Sequence, residues 1–484
     1  MAFLGGISVK KFGDLLGGDT TGRQLPSGYD ELDIDLKLKT KITEGGILTA
    51  AFQNVGQTDV PVFHKIQLEN FERNHTDKQR RALAYLRYDH DLNQRFIQKL
   101  FVLTAYHGQF EARSSRKNNS KLTQFERDST HSWSFQTGIE SKIRENWHAT
   151  TGIDLYAESV KSTRFDDNNG ILTNKRGLYP NDAVQQNMAI YTLHQLDFGS
   201  NWHAHFGGRW NGFSVKIDDK DIGKTNLTPS ALVWNAAILR GVGAHLNFFV
   251  AANSSFRAPN VDDLGTLGIV DFRYELPNYD LQPERALSFQ IGSKIRFERL
   301  RGEVYFFRND LKNLITRVRR DTQRIANYPV FIKENVEQGY IQGFEISLNG
   351  CLLKTDPAGG GITFAFNGAY TYGQNKTKNE PLRRIPPVNG RFALNFEQKM
   401  WSISAEILAA TAQTRLAAGD KSDNRIPMGG TPAWQILNLY GNFQWRFLHF
   451  SMGATNLFNQ DYRYHGSGIN GVGRSIWLAG RVQF

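Results

Sequence analysis

The chain has 484 residues, of which 40% are hydrophobic and 12% aromatic, with a mean hydropathy of −0.46. No window approaches the run of about 20 apolar residues that a membrane-spanning helix needs, which excludes a helical membrane protein but not membrane-spanning strands. The single cysteine, Cys351, excludes a disulfide framework and a multi-thiolate metal site, and the 58 Lys and Arg are interspersed with 47 Asp and Glu, so the net charge of +11 predicts a solvated basic surface and no nucleic-acid partner.

Alternation of apolar and polar residues is the dominant pattern along the chain. In the segment 31–39, Leu32, Ile34, Leu36 and Leu38 alternate with charged residues. Such a period of two places the apolar set on one face of a strand and the charged set on the other. About 19 segments follow this pattern, at 29–39, 47–55, 80–89, 97–110, 131–143, 147–160, 187–197, 202–216, 229–239, 244–256, 286–298, 299–309, 341–353, 361–373, 390–399, 401–412, 435–446, 447–456 and 474–484.

The connections between these segments alternate between short and long. Short ones include "RENW", "KM" and "DPAGGG". The long ones are predicted at 56–79, 111–130, 161–186, 257–285, 310–340, 374–389, 413–434 and 457–473. A soluble sandwich gives no reason for this asymmetry, whereas outer-membrane barrels have tight periplasmic turns and long extracellular loops. We therefore predict an all-β, transmembrane antiparallel β-barrel.

The beginning of the chain does not fit a complete barrel. Residues 1–28 lack the apolar core of a secretory signal and are predicted to be an extracellular loop at a truncated N-terminus, with the barrel at 29–484. Single-chain bacterial barrels have an even number of strands, so about 19 strands of a 22-stranded barrel leave about three strands to be supplied upstream.

Several motifs resemble the TonB-dependent receptor family. The C-terminal "GATNLFNQDYRYHGSGINGVGRSIWLAGRVQF" resembles the closing signature of that family, with Phe484 as its terminal aromatic residue. "SFRAPNVDDLGTLG" at 255–268 and "LPNYDLQPERALSFQIGSKI" at 276–295 resemble its F-R-A-P and P-N-x-x-L-x-P-E elements. Further matching elements are "PSGYDELDIDLKLKTKI", "GEVYFFRNDLKNLI", "NVEQGYIQGFEISL" and "RRIPPVNGRFAL".

This resemblance implies an outer-membrane receptor of a Gram-negative bacterium for uptake of a scarce nutrient, such as an iron–siderophore or haem. Its implied partners are outer-membrane lipid, an extracellular ligand and, through a plug not seen in this sequence, the TonB complex. A non-gated porin or a surface adhesion barrel is the alternative. In haem-uptake members the loop between F-R-A-P and P-N contains a histidine, but no His lies between Pro259 and Pro277.

Candidate ligand-binding residues lie in the predicted loops. Arg257, Arg273, Tyr274 and Asn278 could contact an anionic or aromatic ligand, since guanidinium groups bind carboxylates bidentately, although Arg257 and Asn278 could equally fix the turn. His64, His75 and His465 could reach iron or haem, or could be ordinary polar loop residues. No catalytic motif and no resident metal site or cofactor is predicted, so the sequence does not indicate an enzyme.

Overall fold

The computed structural model describes residues 1–221, 223–270, 273–355 and 360–484. Across these ranges 25 strands form one sheet and two short strands form a second. Three short helices lie in connections: α1 (Phe63–Leu68), α2 (Val261–Gly265) and α3 (Ala418–Lys421). None of the helices in the described ranges is long and apolar enough to cross a membrane.

Twenty long strands form the wall of the molecule, each antiparallel to the wall strand before it. They are β1, β4–β9, β11, β12, β14, β15, β18–β21 and β23–β27. The bounds of all strands are β1 (Ala2–Phe12), β2 (Leu15–Leu16), β3 (Arg23–Gln24), β4 (Tyr29–Thr43), β5 (Gly46–Pro61), β6 (Phe71–Asp91), β7 (Ile97–Lys117), β8 (Leu122–Arg144), β9 (Trp147–Asn168), β10 (Ile171–Arg176), β11 (Ala183–Phe198), β12 (Trp202–Asp219), β13 (Gly223–Leu227), β14 (Ser230–Val242), β15 (Leu246–Arg257), β16 (Gly268–Val270), β17 (Arg273–Leu276), β18 (Glu284–Arg296), β19 (Leu300–Ile325), β20 (Tyr328–Lys354), β21 (Gly361–Asn375), β22 (Glu380–Pro381), β23 (Asn389–Glu397), β24 (Trp401–Ala410), β25 (Trp434–Trp445), β26 (Leu448–Thr455) and β27 (Ser475–Val482).

The predicted strand order is confirmed, because each of the 19 alternating segments overlaps one wall strand. Strand β1 is the exception: its residues were predicted to be loop, and this part of the prediction is wrong. Its ladder with β4 sets Ile7 opposite Ile34 and Val9 opposite Leu32. The apolar alternation of β1 is broken by the pair Gly5–Gly6, and backbone pairing with β4 compensates for the missing side chains.

The described connections at one end of the wall are all short, as at 44–45, 145–146 and 446–447. Most of the predicted turn "DPAGGG" falls at 356–359, outside the described residues. The opposite end carries the three helices and the longer connections. Several predicted long loops are largely strand: β7 and β8 leave only 118–121 between them, and β19 and β20 leave only 326–327. The part of the wall whose outward side chains are apolar is called the apolar belt. Beyond it the backbone ladder continues, although the side chains no longer alternate in polarity.

Large apolar side chains on the outer face of the wall are exposed. Directly opposed residues of antiparallel strands share a face, and Ile291 lies opposite Val250 and Phe306, with exposed fractions of 58%, 56% and 44%. Other exposed apolar residues with this orientation are Phe206, Trp210, Leu232, Ile238, Phe248, Phe289, Val304, Phe344, Phe392, Ile403, Ile407, Leu439, Phe443 and Phe450. The intervening residues, such as Gln290 and Tyr305, face the lumen and are mostly polar.

The sheet curls so that its first and last strands approach each other at the loop end. The connection 13–28 after β1 bonds to the connection 456–474 before β27: Asp19 N donates to Asn459 O at 2.8 Å and Gly473 N donates to Leu16 O at 2.8 Å. Gln24 and Asn470 exchange two further hydrogen bonds, of 3.1 and 2.8 Å. The wall therefore encloses a lumen.

Candidate functional site

Helix α2 lies in the connection between β15 and β18, which carries the F-R-A-P element. Its cap residue Asn260 accepts a hydrogen bond from Asp263 N at 2.8 Å, and the Asp263 carboxylate accepts one from Asn260 N at 3.2 Å. Val261 and Leu264 are buried with Val215 and Ile217 of β12. This reciprocal cap and the apolar anchor hold the loop over the end of the wall.

Arg257 is bonded within this loop. Its Nε and Nη2 donate to the Glu284 carboxylate at 2.7 and 3.0 Å, and Nη1 donates to Asp263 at 2.5 Å. Glu284 holds the pKa of the guanidinium above its ordinary value even though partial burial lowers it. Two carboxylates thus neutralise Arg257, an arrangement that favours the turn-fixing role.

Arg273 and Tyr274 lie on β17, which is parallel to the start of β20. Arg273 Nε donates at 2.6 Å to Glu275, which is buried and also accepts from Arg317 Nε at 2.5 Å. Lys333 Nζ lies 2.9 Å from the Asp262 carboxylate and 3.9 Å from that of Glu275. These charges form one ion-pair network beneath the loop.

Asp262 belongs to this network, and its surroundings lower the pKa of its carboxyl. Burial alone would raise the pKa of the carboxyl, but the Lys333 ammonium and the Thr266 hydroxyl outweigh it and hold the pKa below its usual value.

Asn278 fixes the neighbouring turn, because its amide donates to Lys333 O at 2.7 Å and its carbonyl accepts from Asp280 N at 3.0 Å. The structure therefore brings Arg257, Arg273, Tyr274 and Asn278 into one loop.

The three candidate histidines lie outside this loop. His75 is on β6, where its Nδ1 is 2.8 Å from the Asp59 carboxylate. His64 is on α1 and packs against Gly468 of the last connection. His465 lies in that same connection, and its Nδ1 is 2.9 Å from the Thr431 hydroxyl. The structure thus associates His64 and His465 with the last connection and leaves His75 apart.

His465 has an environment distinct from the other two. Its Nε2 is buried and has no hydrogen-bond partner among the described residues. Burial lowers the pKa of the imidazole, partly against the attraction of the Asp420 carboxylate, so the ring is neutral near pH 7. A neutral imidazole with a free nitrogen can ligate a metal.

Three aromatic rings next to His465 were not recognised from the sequence. The ring centroids of Trp434 lie 4.9 Å from those of Tyr462 and 5.2 Å from those of Tyr464. Burial raises the pKa of the Tyr462 hydroxyl. The "YRYH" segment at 462–465 indicates a cluster of aromatic residues in a loop, but only the fold brings Trp434 next to it.

A cavity of about 660 Å³ opens beside these rings at the loop end of the lumen. Trp434, Tyr464, His465 and Arg384 line one side of it, and residues of β19, β20, β21, β23 and β24 line the other. Arg384 donates to the Asp423 carboxylate at 2.8 Å. The cavity thus combines aromatic faces, a guanidinium and an imidazole, which together suit a planar ligand with anionic groups. Within the described ranges no group of three His, Cys, Asp or Glu residues is placed to hold a metal ion.

The sequence matches a family model over residues 11–457, and the model is described as "TonB dependent receptor-like, beta-barrel". The chain belongs to the TonB-dependent receptor family. Proteins of this family are outer-membrane β-barrels of Gram-negative bacteria and are transport receptors rather than enzymes. In such a receptor the end of the wall that has only short connections faces the periplasm. The end that carries the helices and the cavity faces outward.

One similar curated protein is the heme/hemopexin utilization protein C of Haemophilus influenzae (strain 86-028NP), with 24% identity over 362 residues, which are 69% of this chain and 48% of that protein. The chain thus spans about half the length of this relative.

Solved structures of other receptors share the fold. The copper transporter OprC matches with a TM-score of 0.82 at 14% identity, covering 100% of this chain and 76% of that one. The FrpB iron transporter from Neisseria meningitidis (F3-3 variant) matches with a TM-score of 0.77 at 15% identity, covering 99% and 76%. At these identities the likeness shows the barrel fold and not a ligand.

Proposed function

We propose that this chain forms the wall and outer loops of an outer-membrane receptor that takes up an iron–siderophore or haem-type ligand. The family membership carries this proposal, because receptors of this family use TonB-derived energy to import scarce nutrients. The outer membrane supplies lipid around the apolar belt, the ligand enters from the extracellular end, and the TonB complex supplies the energy.

The cavity beside His465 is the proposed contact site for the ligand. Trp434 and Tyr464 offer ring faces, while Arg384 offers a cation for a carboxylate or a catecholate oxygen. If the ligand is haem, His465 is the imidazole that lines the cavity, and its ring must turn to bring the buried Nε2 to the iron. The chemistry of these donors and the name of the Haemophilus relative both support an iron-bearing planar ligand.

A growth assay on defined iron sources tests the proposal. A strain from which the gene is deleted is grown in iron-limited medium with haem, ferric citrate, a ferric catecholate or a ferric hydroxamate as sole iron source. We expect loss of growth on one source and restoration by the intact gene. Normal growth of the deletion strain on all four sources would contradict the proposed uptake of an iron-bearing ligand.

Single substitutions in and away from the cavity test whether the ligand binds there. His465→Ala and Trp434→Ala are compared with His75→Ala, since His75 lies away from the cavity and is bonded to Asp59. The first two variants should reduce growth on the responsive source at equal receptor abundance, and His75→Ala should not. Equal growth for all three variants would exclude this cavity as the ligand site.

A further inference from the structure

Two cations face each other on the outer surface of the wall. Arg285 of β18 lies directly opposite Lys312 of β19, and both side chains are exposed. They share a face with the apolar residues Leu287 and Ile291, and lie at the loop end of the apolar belt. Neither cation has an ion-pair partner within the part of the chain that the structure describes.

Like charges directly opposite each other destabilise a strand pair. The neighbouring charges do not relieve this repulsion. Asp310 is the nearby carboxylate, but Arg308 binds it bidentately at 3.1 and 3.2 Å, and Lys376 Nζ lies 3.6 Å from it. Arg308 and Lys376 therefore already compensate this carboxylate, and Arg285 and Lys312 leave a local excess of positive charge on the outward face.

A groove of about 400 Å³ runs beneath these cations. Its lining includes the cations Arg285, Lys312 and Lys376 and the exposed apolar residues Leu232 and Leu287. Leu287 shares a face of β18 with Arg285 and lies further from the loop end, so the groove joins a cationic patch to exposed apolar side chains. A free anion would satisfy the cationic part alone, whereas a lipid would occupy both parts.

We propose that this groove binds a lipid whose phosphomonoester headgroup carries a net negative charge, in the outer leaflet. The phosphate oxygens accept hydrogen bonds from Arg285, Lys312 and Lys376 and remove the repulsion between the opposed cations. The acyl chain lies along Leu232, Leu287 and Ile291. This inference rests on the membrane location in the proposed function and adds a lipid partner to it.

Thermal unfolding of the purified protein in dodecylmaltoside micelles provides the test. The samples contain no addition, diphosphoryl lipid A, phosphatidylcholine, or inorganic phosphate alone. We expect lipid A to raise the Tm of the wild type and the Arg285→Gln/Lys312→Gln variant to need at least about tenfold more lipid A for the same shift. Without lipid, this variant should unfold at or above the wild-type temperature, since the repulsion is gone.

The matched control is Lys161→Gln/Lys216→Gln. These lysines are exposed on strands β9 and β12 and face neutral residues, Ser129 and Asn226, across their ladders. The control removes the same charge and should keep the wild-type response to lipid A. The inference is overturned if the control loses the response equally, if phosphatidylcholine acts as strongly as lipid A, or if inorganic phosphate alone reproduces the shift. A protein that is absent from the outer membrane would instead contradict the proposed function.

Discussion

Arg257, in the F-R-A-P element, could either contact a ligand or hold the conformation of its own loop. An arginine at the edge of an outer loop is a plausible contact for an anionic ligand, and the sequence alone leaves that role open. In the structure its guanidinium is bonded to Glu284 and Asp263, which come from both sides of the same loop. The guanidinium is half exposed, but the Asp263 and Glu284 carboxylates are largely buried, so loss of Arg257 would leave two shielded charges without their partner.

Exchange of either partner of this pair therefore gives the first prediction. Arg257→Gln and Glu284→Gln should both increase the rate of proteolysis within 258–283, and both should impair ligand uptake to a similar degree. Limited proteolysis on intact cells, together with uptake assays, measures this. If only Arg257→Gln abolishes uptake, while its loop stays as resistant as wild type, then Arg257 contacts the ligand directly.

The depressed pKa of Asp262 gives a pH prediction. A carboxyl whose folded pKa lies below its unfolded value contributes stability above the unfolded pKa, near 3.8, and loses it as the pH falls through the folded pKa. We expect pepsin to cut 258–283 increasingly quickly as the pH falls from 4 toward 2. The Lys333→Met variant, which lacks the cation, should already be cut rapidly at pH 4. A cleavage rate in the wild type that stays flat over this range, after correction for pepsin activity on an unfolded control, would contradict the assignment.

At the level of elements, the wall strands are predictable from sequence because each must present apolar side chains on one face only. The connections are less predictable: in β7–β8 and β19–β20 the ladder runs past the belt on backbone bonds that leave no trace in side-chain polarity. Strand β1 was missed for a related reason, since Gly5 and Gly6 interrupt its pattern. The cavity could not be foreseen, because Trp434 at the start of β25 and His465 come together only when the connection 456–474 packs against that strand.

The contact between the first and last connections gives an element-scale prediction. A Cβ added at Gly18 would lie 2.2 Å from the Gln460 carbonyl oxygen, whereas one added at Gly13 would meet nothing within 4 Å. Gly18→Ala should therefore displace 13–28 from 456–474 and speed amide exchange at Asp19 and Asn470, while Gly13→Ala should leave both unchanged. Hydrogen-exchange mass spectrometry distinguishes the two variants. Equal protection of these amides in both variants would contradict the close packing of the two connections at Gly18.

For the whole molecule, the account depends on a wall with lipid on one face and water on the other. Leu287, Phe289 and Ile291 face outward with exposed fractions of 37%, 46% and 58%, and Ser288 and Gln290 alternate with them toward the lumen. In a soluble protein such exposed apolar rows would be an aggregation hazard, but in a bilayer they lower the free energy by contact with acyl chains.

Collision accessibility of nitroxide labels tests this central claim most directly. Labels are placed singly at positions 287 to 291 in a Cys351→Ser background, in lipid bilayers. The account predicts that labels at 287, 289 and 291 collide preferentially with oxygen, which partitions into lipid, and that labels at 288 and 290 collide preferentially with a water-soluble nickel chelate. Labels at all five positions that are equally accessible to the nickel chelate would contradict a membrane-spanning wall.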